Sequence, residues 1–495
     1  MNRRPMYAVA VMAFAYGYVT TGAIENDHFV MLARALQVLY GDWPVRDFVD
    51  PGQPLSYLVS TAAAAMFGPT LLVNVVLCLV FLAATAAFTY LLVWRATGSV
   101  LAALVAAALA IVFYPRLYNT TKVIVPIVAI ALAWRYVDRP DGKGLVTLAL
   151  WTAIAFLMRH DYAVYIGVAM AATLALVHAD APTVAVRRIA MYAVLSLVFA
   201  SPWLVYVQMQ QGLTGYFASA LRFAAAEQRR TVGGLPTNPL FYVLVAIPAA
   251  GLALSFRRGR RLTAAHLVAA SLLVLLLDVA FLRDVLRARI ADVVPPMVVV
   301  AACITGQLWS SKTATRIAIA ALVVAVPAAL IAAPRARAVP GPLAMVRHVG
   351  DVTRRLRAAS PEIQPNPALA PLVRYLSRCI CPDERVLVSG FGPEISVLAH
   401  RPFASGLASW IPGYYEDAPD VTRAIDQLNR ERVGAAVMLD GSRLFFTLWP
   451  ALGEWLTTRG FDEYSVTAIN GRVRVWLPRG RANAASDPAT GLPCP

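Results

Sequence analysis

Residues 25–55 read Glu25-Asn26-Asp27-His28-Phe29-Val30-Met31-Leu32-Ala33-Arg34-Ala35-Leu36-Gln37-Val38-Leu39-Tyr40-Gly41-Asp42-Trp43-Pro44-Val45-Arg46-Asp47-Phe48-Val49-Asp50-Pro51-Gly52-Gln53-Pro54-Leu55. An apolar run over 5–23 ends just before this stretch, so two acids stand at the end of a first membrane span. Phe29, Leu32, Ala33, Leu36 and Leu39 recur at helical spacing, which predicts an amphipathic helix lying along the membrane surface. Such a helix holds Glu25 and Asp27 at the depth of lipid headgroups. A carboxylate there is placed to act as general base on an acceptor hydroxyl. The plain alternative is that acids cap helix N-termini and avoid lipid, and it stands for Asp42, Asp47 and Asp50 as well. His28 has no second histidine at ligand spacing and reads first as a structural residue.

Working outward, the rest of the chain explains why this loop borders a bilayer. The 495 residues are 59% hydrophobic and only 15% charged, and mean hydropathy is +0.61. A soluble domain carries about 25% charged residues. Lipid must therefore be the solvent for much of the chain. Runs long enough to span lie at about 5–23, 71–94, 98–114, 122–137, 144–158, 162–178, 189–206, 240–256, 262–282, 291–309 and 315–333, which is eleven. The first lacks a small-residue cleavage site and reads as a retained helix. Pro54–Phe67 is apolar but short, and reads as re-entrant or interfacial.

The net charge is +16. Its positions exclude a nucleic-acid reading, because the basic residues line the membrane connections. With the N-terminus inside, Arg3, Arg4, Arg95, Arg135, Arg139, Lys143, Arg187, Arg188, Arg257, Arg258, Arg260, Arg261, Lys312 and Arg316 fall inside, as the positive-inside rule requires. Most acids fall outside. Eleven spans leave the C-terminus outside the cytoplasmic (inner) membrane, in the periplasm.

The expected division is a multi-span domain over 1–333 with its first outside loop at 25–70, an extracytoplasmic α/β domain over 334–480, and a disordered tail over 481–495. Strands are expected at Arg385–Ser389, Ala435–Leu439 and Arg472–Leu477. Helices are expected at Val421–Arg432, with Asp420 as N-cap, and at Trp449–Thr458. Gly390–Glu394 reads as a turn. Trp410, Tyr414 and Tyr415 read first as core, with sugar stacking as the alternative. Cys78 and Cys303 read as packing residues, and a bridge from Cys379 or Cys381 to Cys494 stays open. No internal repeat is visible.

The run from Glu25 to Leu55 resembles the first periplasmic loop of the GT-C superfamily, which includes protein O-mannosyltransferases and the aminoarabinose transferases that modify lipid A. The resemblance rests on Phe29, Ala33-Arg34, Gly41-Asp42-Trp43, Arg46-Asp47-Phe48, Asp50-Pro51 and Pro54-Leu55. The family's adjacent Asp-Glu pair is replaced here by Glu25-Asn26-Asp27, so either acid can match the catalytic base; Asp27 is preferred on residue type. The resemblance implies a GT-C-like helical membrane protein of about 11 spans. It also implies a glycosyltransferase with a polyprenyl-phosphate sugar donor and a lipid, glycan or protein acceptor, working on the outer face. Arg46, Asp47 and Asp50 are then loop support.

Four more outside loops suit a donor phosphate. Arg116 and Lys122 flank Tyr118, and Arg159-His160-Asp161 interrupts an apolar stretch, where charges usually face a cavity. Arg222, Glu227, Arg229 and Arg230, and then Arg283, Asp284, Arg287 and Arg289, cluster outside against the positive-inside rule. Guanidinium forks match phosphate oxygens. The bland readings are interfacial tyrosines with a snorkelling lysine, a self-contained Arg159–Asp161 pair, and amphipathic helices on anionic lipid. No metal-ligand set is legible and no cofactor is demanded; a divalent cation is left open. A transporter or flippase of lipid-linked sugars is the rival from another class, though it should show inverted repeats. An inactive scaffold of the same fold is the third reading.

Overall fold

The computed structural model describes residues 4–231, 239–257, 261–281, 287–308, 341–466, 473–481 and 485–494. The first part of the chain is a succession of helices. They are α1 (Arg4–Val19), α2 (Asn26–Leu39), α3 (Pro54–Phe67), α4 (Leu71–Thr97), α5 (Val100–Val112), α6 (Thr120–Asp138) and α7 (Gly142–Met158). They continue as α8 (His160–Val177), α9 (Pro182–Gln210), α10 (Leu213–Thr231), α11 (Pro239–Arg257), α12 (Arg261–Phe281) and α13 (Val294–Leu308). The first ten expected spans each coincide with one of these helices; the eleventh, 315–333, lies outside the described residues.

Among the described residues, by length and composition alone, four segments are long and apolar enough to cross a bilayer: Leu71–Thr97, Leu117–Asp138, His160–Val177 and Pro182–Gln210. Six shorter apolar helices accompany them. One of them, α7, is cut short at Arg159, whose backbone is extended (φ −171°, ψ 120°) and which serves at once as C-cap of α7 and N-cap of α8.

Two compact units emerge, and neither follows the linear division at residue 333. One unit comprises 1–21, 75–206 and 227–352. Its core is built from α4 to α8 with α12 and α13, through residues such as Leu92, Ile127, Leu148, Ile166 and Leu273. Small residues set the close crossings. A Cβ on Gly17 of α1 would lie 2.5 Å from Leu79, and one on Gly306 of α13 would lie 2.8 Å from the Ala96 carbonyl. In lipid, where apolar area gives no drive to associate, such backbone approach is what packs helices.

The other unit comprises 22–74, 207–226 and 353–495. The expected first loop therefore folds with the C-terminal region. Beyond α14 (Pro342–Arg357) this region holds α15 (Ala370–Cys379), β1 (Arg385–Ser389), α16 (Glu394–Ala399), α17 (Ala418–Leu428) and β2 (Val433–Met438). Then come α18 (Ser442–Leu448), α19 (Pro450–Thr458), β3 (Phe461–Ser465), β4 (Arg474–Pro478), β5 (Ala485–Ser486) and β6 (Pro493–Cys494). The main sheet has order β1-β2-β4-β3, with β1 and β2 parallel and the other pairs antiparallel. β2 is buried throughout, as a central strand should be.

Several expectations change here. The helix expected to start after Asp420 begins at Ala418 with Asp417 at the N-cap, because Pro419 is pre-shaped for a first turn. The edge strand β3 was not anticipated. Within the tail expected to be disordered, residues 485–494 are packed. Leu492 and Thr490 are fully buried, Cys494 is joined to Cys379, and Tyr375 donates to the Pro493 carbonyl at 2.6 Å. Asp487 pairs with Arg378 and accepts from the Thr490 amide at 3.0 Å.

Helix α2 forms as its stripe predicts, but the stripe faces protein. Phe29, Leu32, Ala33 and Leu36 are buried against α3 and α16 of the same unit. Thr61 of α3 donates to the Ala35 carbonyl at 3.0 Å. Burial of side chains the size of Phe29, Leu32 or Leu36 contributes about 1.5 to 3 kcal/mol each. Tyr40 ends the helix, and Gly41 follows at φ +98°, the left-handed turn that glycine permits.

Candidate functional site

Within the unit that holds the first loop, Glu25 is the N-cap of α2 in extended conformation (φ −83°, ψ 154°), with no side-chain cap hydrogen bond. Asp27 stands in the first turn, half-buried, where the helix N-terminus favours a carboxylate. The turn is anchored on both sides. The Ile24 amide donates to the Ile363 carbonyl at 2.8 Å, and the Asn26 side chain donates to the Phe391 carbonyl at 2.9 Å. His28 is fully buried beside Asn74, and burial pushes its imidazole down to about 4, so it is neutral at ordinary pH. Glu25 and Asp27 are both half-buried, whereas His28 belongs to the core.

The remaining loop acids build the loop. Asp47 accepts from the Trp43 amide at 2.7 Å and pairs with Arg46 at 2.6 Å. Asp42 is gripped by Arg385 and accepts from Gln37 at 2.6 Å. Gln37 in turn exchanges two hydrogen bonds with the Phe403 backbone, at 3.0 and 3.1 Å. Asp50 is buried; it accepts from the amides of Gly52 and Gln53 at 3.2 and 3.0 Å and from Tyr216 Oη at 2.5 Å. Val45 sits at φ +70° between them, and its carbonyl takes a hydrogen bond from Arg423.

Trp410 and Trp449 pack edge to face at 5.3 Å in the core, as the plainer reading expected. Gly390, at φ +90°, turns the chain out of β1 into α16. That helix opens with Glu394, which is 1% exposed and whose carboxyl burial pushes up to about 7.

In the helical unit the expected phosphate ligands form a cluster of their own. Arg159 closes two hydrogen bonds on Asp161, Nε to Oδ1 at 2.7 Å and Nη2 to Oδ2 at 2.9 Å. Burial works against the Arg159 charge, but Asp161 outweighs it, so the guanidinium is held charged above its ordinary range. Glu227 adds to that field. Lys122 lies 3.8 Å from Asp292 and 5.9 Å from the centre of the Tyr118 ring. Asn119 donates to the same Asp292 oxygen at 3.1 Å, and Arg116 reaches Tyr118 Oη at 3.1 Å. Tyr162 joins the two halves, feeling both Arg159 and Asp292.

His160 stacks on Phe156 at 4.3 Å. Arg283 lies outside the described residues, and Arg287 and Arg289 are described as backbone of a short turn over Arg287–Asp292. The structure thus gathers Lys122, Arg159 and Asp161, and adds Asn119 and Asp292. Asn119 and Asp292 are 173 residues apart, and no local pattern links them. Chemically, the Arg159 fork is already filled by a carboxylate, and Lys122 stands between an acid and an aromatic ring. Among the described residues no group of three or more His, Cys, Asp or Glu could hold a metal ion.

No family model and no curated protein matches the chain. Among solved structures it is similar to ArnT from Cupriavidus metallidurans bound to undecaprenyl phosphate. The match has TM-score 0.59 and 13% identity, and covers 95% of this chain and 97% of that one. The chain therefore has a GT-C-type fold, a multi-pass helical membrane protein with a C-terminal sheet-containing region.

Proposed function

We propose that this protein is a membrane glycosyltransferase that moves a sugar from a polyprenyl-phosphate donor to an acceptor hydroxyl on the outer face of the cytoplasmic membrane. The observation that carries the reading is the end-to-end likeness of fold to a protein captured with undecaprenyl phosphate, joined to a half-buried acid pair on the first loop. In the reaction the Asp27 carboxylate takes the proton of the acceptor hydroxyl. The acceptor oxygen then bonds to the anomeric carbon. The bond from that carbon to the phosphate oxygen breaks, and its electron pair leaves on the phosphate. Lys122, with Arg116 and the Arg283–Arg289 segment, offsets the charge that develops there; Arg159 joins them if Asp161 yields its place. The Cys379–Cys494 disulfide supports an oxidising, extracytoplasmic setting for the second unit.

The test is complementation. Envelope lipids and glycans of a deletion strain are compared with wild type, and the missing product is sought after reintroducing each variant at equal protein level. Asp27→Asn should fail to restore it, since Asn keeps the size and capping ability of Asp but accepts no proton. A general base contributes typically 10²- to 10⁴-fold. Restoration by Glu25→Gln completes the assignment; the reverse pattern moves the base to Glu25. Full restoration by both variants makes the acids caps and ends the enzymatic reading of this loop.

A further inference from the structure

From Val386 to Val397 every residue is buried except one, and that one is Phe391, which is 39% exposed. Three positions further on, Glu394 is 1% exposed. The segment thus leaves its only phenyl ring in water and takes its only carboxyl group inside. A single apolar side chain scattered on a surface needs no explanation. An inversion within an otherwise buried segment does, because sequences break such rules at functional sites.

The ring is also firmly mounted. Gly390 and Gly392 press the turn against the residue that follows β2. A Cβ on Gly390 would lie 2.8 Å from Leu439 Cβ, and one on Gly392 would lie 2.4 Å from Leu439 Cδ1. The Gly390 amide donates to the Trp410 carbonyl at 2.7 Å. From the other side Asn26 donates to the Phe391 carbonyl at 2.9 Å. Held on both sides, the backbone cannot withdraw the ring. Asn26 is moreover the residue between Glu25 and Asp27. An exposed aromatic residue therefore stands one hydrogen bond away from the turn that carries the candidate base.

We propose that Phe391 is an acceptor-binding residue, a platform on which a carbohydrate ring stacks with a hydroxyl turned toward Asp27. The class of ligand follows from the groups that meet here. The C–H groups on one face of a sugar are the positive partner that the negative face of a phenyl ring attracts. Carboxylates and a side-chain amide receive and give hydrogen bonds to hydroxyls. An apolar wall with a few polar groups is how small-molecule sites are built. An acyl chain would have no use for the acids. A peptide would be read by pairing with a strand edge, and that edge of β1 is already taken. The Val386 amide donates to the Pro402 carbonyl at 2.9 Å, the Ala404 amide to the Val386 carbonyl at 3.0 Å and the Trp410 amide to the Val388 carbonyl at 2.8 Å. Calling the sugar an acceptor rests on the transferase reading; its stacking on Phe391 does not.

Saturation-transfer NMR on the full-length protein in nanodiscs, with methyl β-glucoside as the probe, reads the platform without turnover. Saturation of the protein should pass to the ring C–H protons of the sugar. Phe391→Trp should keep that signal. Phe391→Leu keeps the apolar bulk but removes the aromatic face, and should weaken binding roughly two- to tenfold. Melting temperature reports whether each variant is folded, and Phe391→Met replaces Phe391→Leu if the latter is not. Wild-type binding by a folded Phe391→Leu overturns the platform and makes the ring a plain apolar contact, and absence of signal from the wild type overturns it as well. Once transfer is measured, Phe391→Leu should raise the acceptor KM by the same factor and leave donor dependence unchanged; an unchanged acceptor KM removes Phe391 from the acceptor site. A protein that binds the sugar through Phe391 but transfers nothing fails the transferase reading and not the platform.

Discussion

Arg385 grips Asp42 with both prongs of its guanidinium, Nη1 2.5 Å from Oδ2 and Nη2 2.9 Å from Oδ1. The pair ties the turn after α2 to the first strand of the C-terminal sheet, and Glu431 stands 3.6 Å away as a second acid. Arg385→Met leaves two buried carboxylates without their cation and should cost about 3 to 5 kcal/mol. Asp42→Asn keeps the shape and should cost less. Thermal unfolding of the purified protein checks both, and near-wild-type stability of Arg385→Met would show the pair to be ornamental.

The buried acids predict how stability follows pH. Burial pushes the carboxyls of Glu394 and Glu431 up to about 7 from an ordinary 4.5. A group raised in the folded state favours folding while it stays protonated. Its contribution is therefore full below about 4.5 and lost as pH rises through about 7. For Glu394 a shift of that size corresponds to about 3 kcal/mol. Wild-type melting temperature should fall between pH 5 and pH 8. Glu394→Gln should fall less, leaving it more stable than wild type at pH 8. Parallel curves for the two proteins would refute this role for Glu394.

The Cys379–Cys494 bridge spans 115 residues, and Cys381 is left exposed as a free thiol. Closing a loop of this size stabilises by roughly 2 to 5 kcal/mol. Reductant, or Cys494→Ser, should lower the melting temperature of the sheet-containing unit. Alkylation of intact cells with a mass tag should find Cys379 and Cys494 protected until reduction. Free thiols at both positions in cells would place this unit on the reducing side of the membrane.

Of the proposed phosphate ligands, Lys122 is the lysine beside Asp292 and Tyr118. Lys122→Met should raise the apparent donor requirement roughly ten- to a hundredfold, and Lys122→Arg should keep most of the function, since charge is what is asked for. The measurement is transfer at varied lipid-donor mole fraction. Unchanged donor dependence moves the phosphate to the Arg283–Arg289 segment.

Much of this was legible in the chain. Apolar runs report helices because each span must satisfy its own backbone, and the α2 stripe from Phe29 to Leu39 reported a helix, though not its protein cover. β1 and β2 were visible because both are buried and rich in Val and Ala. β3 was hidden by its own sequence, Phe-Asp-Glu-Tyr-Ser, whose acids suit an edge strand but mimic a loop. The tail looked disordered by composition, and only the partners Cys379, Tyr375 and Arg378, far upstream, reveal that it packs.

The double hydrogen bond between Gln37 and the Phe403 backbone joins residues 366 positions apart. At about 5 to 20 residues per second of synthesis, the loop that holds Gln37 waits about 20 to 70 seconds for its partner strand to be made. Throughout that interval the apolar side of α2 has α3 for cover but not α16, beside a bilayer that would readily receive it. The assembly of this protein therefore has an order in time that its finished architecture conceals, and the first loop matures only once the C-terminal part of its own unit has been made. A ribosome stalled before residue 403 should leave that loop open to protease, and release of the stall should close it.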